Sequence, residues 1–291
     1  MIKSILKAGL LVAITTIFIA CNGNGSNSSE MEVSFADSAR IVSINGTVSE
    51  ILVDLGLEEQ IVGVDVASTY PERLQEKPKV GHSRQLTAEG VLALNPDVVI
   101  ATTDDLKPEV KDQIVSAGAK VLVFNHDYSI EGAKGLIRTL ADSLDKSAKG
   151  DSIITALETD LAKVDSLGQP ETKPSVLFIY ARGAGTMMVA GEGTQIEKII
   201  QLAGGENAVS GFTEFKPLTA EALVAANPDV ILLFDSGLSS LGGADMLLGM
   251  PGVKETEAGR NKKIVEMDGQ LLTGFSQRLG QAILELSEKI H

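Results

Sequence analysis

The chain offers few side chains able to do chemistry. It holds three histidines, three tyrosines and a single cysteine in 291 residues. A tyrosine can donate a phenolate oxygen, a histidine an imidazole nitrogen, and an arginine a fork that suits carboxylates. Tyr70 precedes Pro71, which biases its backbone toward extended geometry. Taken alone, that dipeptide reads as an ordinary loop residue. His82 follows Val80-Gly81, and His126 follows an apolar run with Asp127 and Tyr128 beside it. His291 is the last residue. Arg84 and Arg182 can pair with carboxylates, although a solvated arginine is the commoner case. Arg182-Gly183-Ala184-Gly185 starts like a dinucleotide fingerprint, but Met188 stands where the third glycine belongs. No Ser-His-Asp order, P-loop or paired-histidine metal motif is present, so an enzyme is not expected.

The cysteine has a different context. Lys3 and Lys7 give a positive start, and Ala8 to Ala20 is a run of 13 uncharged residues. That suits the apolar region of a signal peptide and is short for a membrane span. Cys21 follows at once and resembles the lipid-modified first residue of a bacterial lipoprotein. Phe18 and Ile19 stand where such signals usually carry leucine and a small residue. Residues 1–20 are expected to be the signal and 21–38, rich in Gly, Asn and Ser, a flexible tether. The protein is therefore expected to be exported and held to a membrane by lipid. Lys and Arg total 25 against 39 Asp and Glu, a formal net charge of −14, which argues against a nucleic-acid partner.

Positioning these residues falls to a chain that repeats itself. Leu86-Thr-Ala-Glu89 leads through Ala93 to Asn95-Pro-Asp97-Val98, and Leu218-Thr-Ala-Glu221 leads through Ala225 to Asn227-Pro-Asp229-Val230. The offset is 132 residues, and 9 of 15 positions agree. In each copy Thr caps a short helix, Asn-Pro ends it, and an apolar run follows as a buried parallel strand. Further strands are expected at 40–44, 121–124, 175–180 and 263–267, with helices at 48–55 and 195–203. The expected architecture is α/β: two similar Rossmann-like lobes with mainly parallel sheets, 39–142 and 170–291. Residues 143–169 carry apolar residues at helical spacing and read as one long linking helix, weakened by Gly150. The cleft beyond the carboxyl ends of the strands is the default binding site.

Lipoprotein signal, tether, two α/β lobes and one linking helix together resemble the substrate-binding proteins of type II ABC importers. These carry vitamin B12, ferric siderophores or haem. Ser68-Thr-Tyr70-Pro71, the stretch Arg182 to Thr194, and Met267 to Phe275 resemble the haem-binding branch. The resemblance implies haem as transported ligand, delivered to a permease and its ATPase, with the protein a monomer. It places Tyr70 as the ligand of ferric iron, a role for which phenolate is suited. A nearby cation would favour the phenolate, and Arg73 is the sequence neighbour that can supply it. His82 can be a second iron ligand, a propionate partner or a wall of the cleft; the wall is expected. Arg84 and Arg182 are candidates for the propionates, Met187, Met188 and Phe275 for apolar contact with the porphyrin. No histidine lies between Tyr180 and Thr194, so one haem rather than a stacked pair is expected. Glu89 and Glu221 hold matching positions on the two lobes and correspond to the glutamates that dock on the permease. An acid in the first turn of a helix is also explained by the helix dipole. The alternative is the same scaffold carrying a siderophore or vitamin B12.

Overall fold

The computed structural model describes residues 38–166, 168 and 172–291. Cys21, the signal segment and the tether fall outside them. Four strands make the first sheet: β1 (Ile41–Ile44), β2 (Ile61–Val64), β3 (Val98–Thr102) and β4 (Lys120–Phe124). All pair in parallel, in the order β2-β1-β3-β4. β1 and β3 are buried along their whole length, as near-continuous apolar strands covered on both faces should be.

The second sheet contains β5 (Ser175–Ala181), β6 (Met187–Ala190), β7 (Glu206–Asn207), β8 (Phe215–Pro217), β9 (Val230–Phe234) and β10 (Ile264–Met267). β5, β9 and β10 pair in parallel, as expected. β6 and β8 do not: β6 runs antiparallel to both β5 and β8, so this sheet is mixed. The turn Gly183–Thr186 returns the chain directly alongside β5, with Gly183 at φ 69°, a conformation open to glycine. That hairpin was not among the strands expected from the sequence.

The repeat is real in three dimensions. Thr87 accepts a hydrogen bond from Gly90 N at 3.2 Å, and Thr219 accepts one from Ala222 N at 3.1 Å. These cap the helices Ala88–Leu92 and Ala220–Ala226. Both are followed by an asparagine in left-handed geometry, Asn95 at φ 46° and Asn227 at φ 40°. Asparagine tolerates that region better than most residues, which explains its place before each proline.

The linking helix runs from Ser147 to Ser166. Residues 143–146 belong instead to the end of the helix Ile130–Ser143 and a break at Asp145, φ 55°. Gly150 weakens helical propensity but permits packing: a Cβ there would stand 2.5 Å from the Ala141 Cβ. Gly280 does the same on the other side, where a Cβ would stand 2.6 Å from the Asp160 Cβ. The linking helix is thus gripped by one helix of each lobe. Its Ile153, Ile154, Leu157 and Leu161 join one buried cluster with Leu136 and Ile137 on one side and Leu279, Ile283 and Leu286 on the other. Each fully buried leucine contributes about 1.5–3 kcal/mol, so the connection is part of the core. No helix among the described residues is long and apolar enough to cross a membrane.

Candidate functional site

The carboxyl ends of both sheets open on a common cleft. After β1, Asn45 caps the helix Gly46–Asp54 through Thr47 N at 2.8 Å and Val48 N at 3.1 Å. After β2 comes the loop with Asp65, Thr69 and Tyr70; after β3, Asp104 and Asp105; after β4, His126 and Tyr128. The second lobe answers with Tyr180 on β5, Phe234 at the end of β9, and the segment Asp268 to Gly274 after β10. Each of these segments contributes to the wall of a cavity of about 610 Å³, Tyr70 itself excepted. A second cavity of about 430 Å³ adjoins it and shares His82 and Tyr180; its other walls are Gln85, Arg182, Met188 and Phe215. Both volumes lie within the usual range for small-molecule sites. Five aspartates line the larger cavity, namely Asp65, Asp104, Asp105, Asp235 and Asp268, and no described lysine or arginine does. Among the described residues the cationic group of the smaller cavity is Arg182, whose guanidinium carbon lies 5.9 Å from the Tyr180 ring centre.

Burial sets the protonation of several groups. Burial pushes the Asp65 carboxyl up, against hydrogen bonds from Ser68 and Ala67 that pull it down. Burial pushes the His126 imidazole below its ordinary value. The Tyr128 hydroxyl is pushed up by burial, with Asp104 and Asp105 adding to the rise.

Tyr70 stands at the rim of the cleft, 44% exposed, and its peptide bond to Pro71 is cis. It lines neither cavity, whereas its neighbour Thr69 lines the larger one. Arg73, the cation expected beside it, stays within electrostatic reach of Tyr70 but has a closer partner. Arg73 is ion-paired with Glu58 and holds that carboxyl below its usual range, because the short helical turn Glu72–Glu76 aims it back at the N-lobe. Arg278, from the other lobe, packs on the Tyr70 ring: its guanidinium carbon sits 3.6 Å from the ring centre. Arg278 in turn grips Glu50, Nε to Oε1 at 2.6 Å and Nη2 to Oε2 at 2.7 Å. Glu50 is 1% exposed and also accepts from Ser276 Oγ at 3.0 Å and Gln270 Nε2 at 3.1 Å.

His82, Met188 and Arg182 meet around the smaller cavity, as the sequence suggests. Met187 does not: strand alternation turns it to the opposite face, where it packs with Leu218 and Leu223 around a small void. Phe275 does not line the cleft either. It is 1% exposed, at φ 43°, with its ring packed edge-on against Tyr128 at 5.5 Å. The side chain of Arg84 lies outside the described residues. Glu89 and Glu221 are both exposed in the first turns of their helices. Sequence reasoning missed Glu50, Gln270 and Arg278. Gln270 lies inside the Met267–Phe275 stretch that drew attention, so position was the available signal there. The pairing of Glu50 with Arg278 spans 228 residues and leaves no local pattern.

Two α/β lobes on one rigid helix, with a shared cleft at the strand ends, define a bilobal ligand-binding scaffold. Residues 41–271 match the family described as periplasmic binding protein, and the chain belongs to that family. Among solved structures it is similar to the periplasmic heme-binding protein RhuT from Roseiflexus sp. RS-1 in apo form. That match has a TM-score of 0.83 and 40% identity, and covers 87% of this chain and 98% of that one. It is also similar to the periplasmic heme-binding protein BhuT in complex with two hemes, at TM-score 0.82 and 36% identity over 87% and 97% of the two chains. An uncharacterized ABC transporter substrate-binding lipoprotein of Bacillus subtilis, YvrC, is 27% identical over 87% of this chain and 80% of its own.

Proposed function

We propose that the protein captures one haem in the cleft between its lobes and delivers it to an ABC permease, performing no chemistry of its own. The observation that carries this reading is the rim of the cleft, where an exposed phenol stands beneath a guanidinium at the edge of the larger cavity, which adjoins one walled by Tyr180, Met188 and Phe215. Tyr70 supplies the iron ligand, and Arg278 over its ring favours an anionic phenolate oxygen. Tyr180, Met188 and Phe215 cover the porphyrin, and Arg182 meets a propionate. His82 is a wall residue. The heme-binding names of RhuT and BhuT support haem as the ligand; the number rests on the missing histidine between Tyr180 and Thr194.

The charge of the cleft separates haem from a ferric siderophore. Five aspartates in the larger cavity disfavour polyanionic ferric chelates by like-charge repulsion. A haem needs only its two propionates neutralised, and its apolar edge can face the larger cavity. Glu89 and Glu221 dock on the permease, one on each lobe. Cys21 carries the lipid that keeps the protein at the outer face of a membrane, and the lipoprotein name of YvrC supports that anchor. Competition among hemin, cobalamin and a ferric catecholate siderophore tests the assignment. Hemin alone should bind tightly and shift its Soret band; preferential binding of either competitor would overturn it.

A further inference from the structure

The loop that carries Tyr70 is fastened from both lobes. Its first half is held from within the N-lobe. Asp65 accepts from Ser68 Oγ at 2.5 Å and from Ala67 N at 3.2 Å, and Ser68 Oγ meets Ser49 Oγ at 2.7 Å. Its second half has its amides satisfied from the C-lobe. Thr69 N and Tyr70 N both donate to Oε1 of Gln270, at 2.8 and 2.9 Å, and Thr69 Oγ1 donates to the same oxygen at 3.0 Å. The other end of that amide is equally occupied: Nε2 donates to Gly46 O at 2.9 Å and Glu50 Oε2 at 3.1 Å. Gly46 leaves just enough room, since a Cβ there would stand 3.1 Å from Gln270 Cδ and 2.9 Å from Ala67 O.

We propose that Gln270 is the positioning residue for the iron ligand: its amide fixes the Thr69–Tyr70 backbone from the segment that follows β10. This rests on the reading of Tyr70 as ligand and goes beyond it. The separation of an N–H donor from its acceptor tolerates only a few tenths of an ångström before the bond weakens. Loss of the Gln270 amide frees two backbone N–H groups and one hydroxyl of the ligand loop together.

The test is hemin dissociation into excess apomyoglobin, measured for wild type, Gln270→Leu, Tyr70→Ala and the double variant. Leucine is close to glutamine in size and neither donates nor accepts. Gln270→Leu should release hemin about tenfold faster and weaken the phenolate-to-iron charge-transfer absorption. In the Tyr70→Ala background the same substitution should change the rate little. Equal acceleration in both backgrounds means that Gln270 acts through lobe contact alone and overturns the proposal. An unchanged rate in Gln270→Leu overturns it as well. Should the leucine variant not fold, Gln270→Ala takes its place with the same expectations. Absence of any hemin spectrum in wild type would instead sink the haem reading itself, which keeps the two failures apart.

Discussion

Replacing Arg278 by leucine leaves Glu50 buried with half of its hydrogen bonds. The carboxylate is 1% exposed and would lose two charge-assisted hydrogen bonds, at 2.6 and 2.7 Å, while keeping those from Ser276 and Gln270. Removing one member of a buried ion pair costs about 3–5 kcal/mol. The Arg278 side chain is itself 16% exposed, so the lower end, about 3 kcal/mol, is the expectation. For a body of this size each kcal/mol moves Tm by about 2–4 °C. Calorimetry on the ligand-free Arg278→Leu protein should therefore show Tm lower by roughly 6–12 °C. The pair Glu50→Leu with Arg278→Leu removes the stranded charge and should lose less than the single variant. Two observations would refute the reasoning: a single variant within about 2 °C of wild type, or a double variant worse than Arg278→Leu.

Acid should loosen the fold through His126. Its folded pKa lies below the ordinary value because of burial, so the unfolded chain takes up the proton first. The stability this residue protects is complete above about pH 6.5 and declines as the pH falls below it toward the folded value. His126→Phe keeps a ring against Tyr128 and should flatten the fall in Tm between pH 7 and 5; an identical fall in both proteins would contradict this. At Gly150, alanine gains about 1 kcal/mol of helix propensity, but its Cβ would lie 2.5 Å from that of Ala141, and overpacking costs about 1–3 kcal/mol. The urea midpoint of Gly150→Ala should fall, and a rise would refute the tight crossing. Reversing charge at Glu89 and Glu221 should cut hemin uptake by cells or proteoliposomes while leaving hemin affinity unchanged; unimpaired uptake would remove the docking assignment.

What the sequence disclosed followed the range of each interaction. Caps and strand patterns are local, so Thr87, Thr219 and the apolar runs at 98–102 and 230–234 located elements within a residue or two. The internal repeat exposed the two lobes because it preserves those local signals twice. The hairpin after β5 escaped because Gly183 and Gly185 also suit a phosphate-type loop, and only the pairing of Met187–Val189 with β5 distinguishes the two. Arg73 was legible as a cation near Tyr70 because it is three residues away, but its pairing with Glu58 was not. Arg278, which packs on the Tyr70 ring, arrives from a different lobe, and nothing local records such an encounter. Phe275 was misread for the same reason, since its burial depends on Tyr128 from the opposite lobe.

Tyr70 as the iron ligand is the central claim, and a hemin titration of wild type and Tyr70→Phe tests it most directly. Phenylalanine keeps the ring beneath Arg278 and removes only the oxygen. Wild type should bind one equivalent and show a phenolate-to-iron charge-transfer band; Tyr70→Phe should lose that band and bind at least tenfold more weakly, a change of about 1.4 kcal/mol or more. An unchanged spectrum and affinity in Tyr70→Phe would contradict the account.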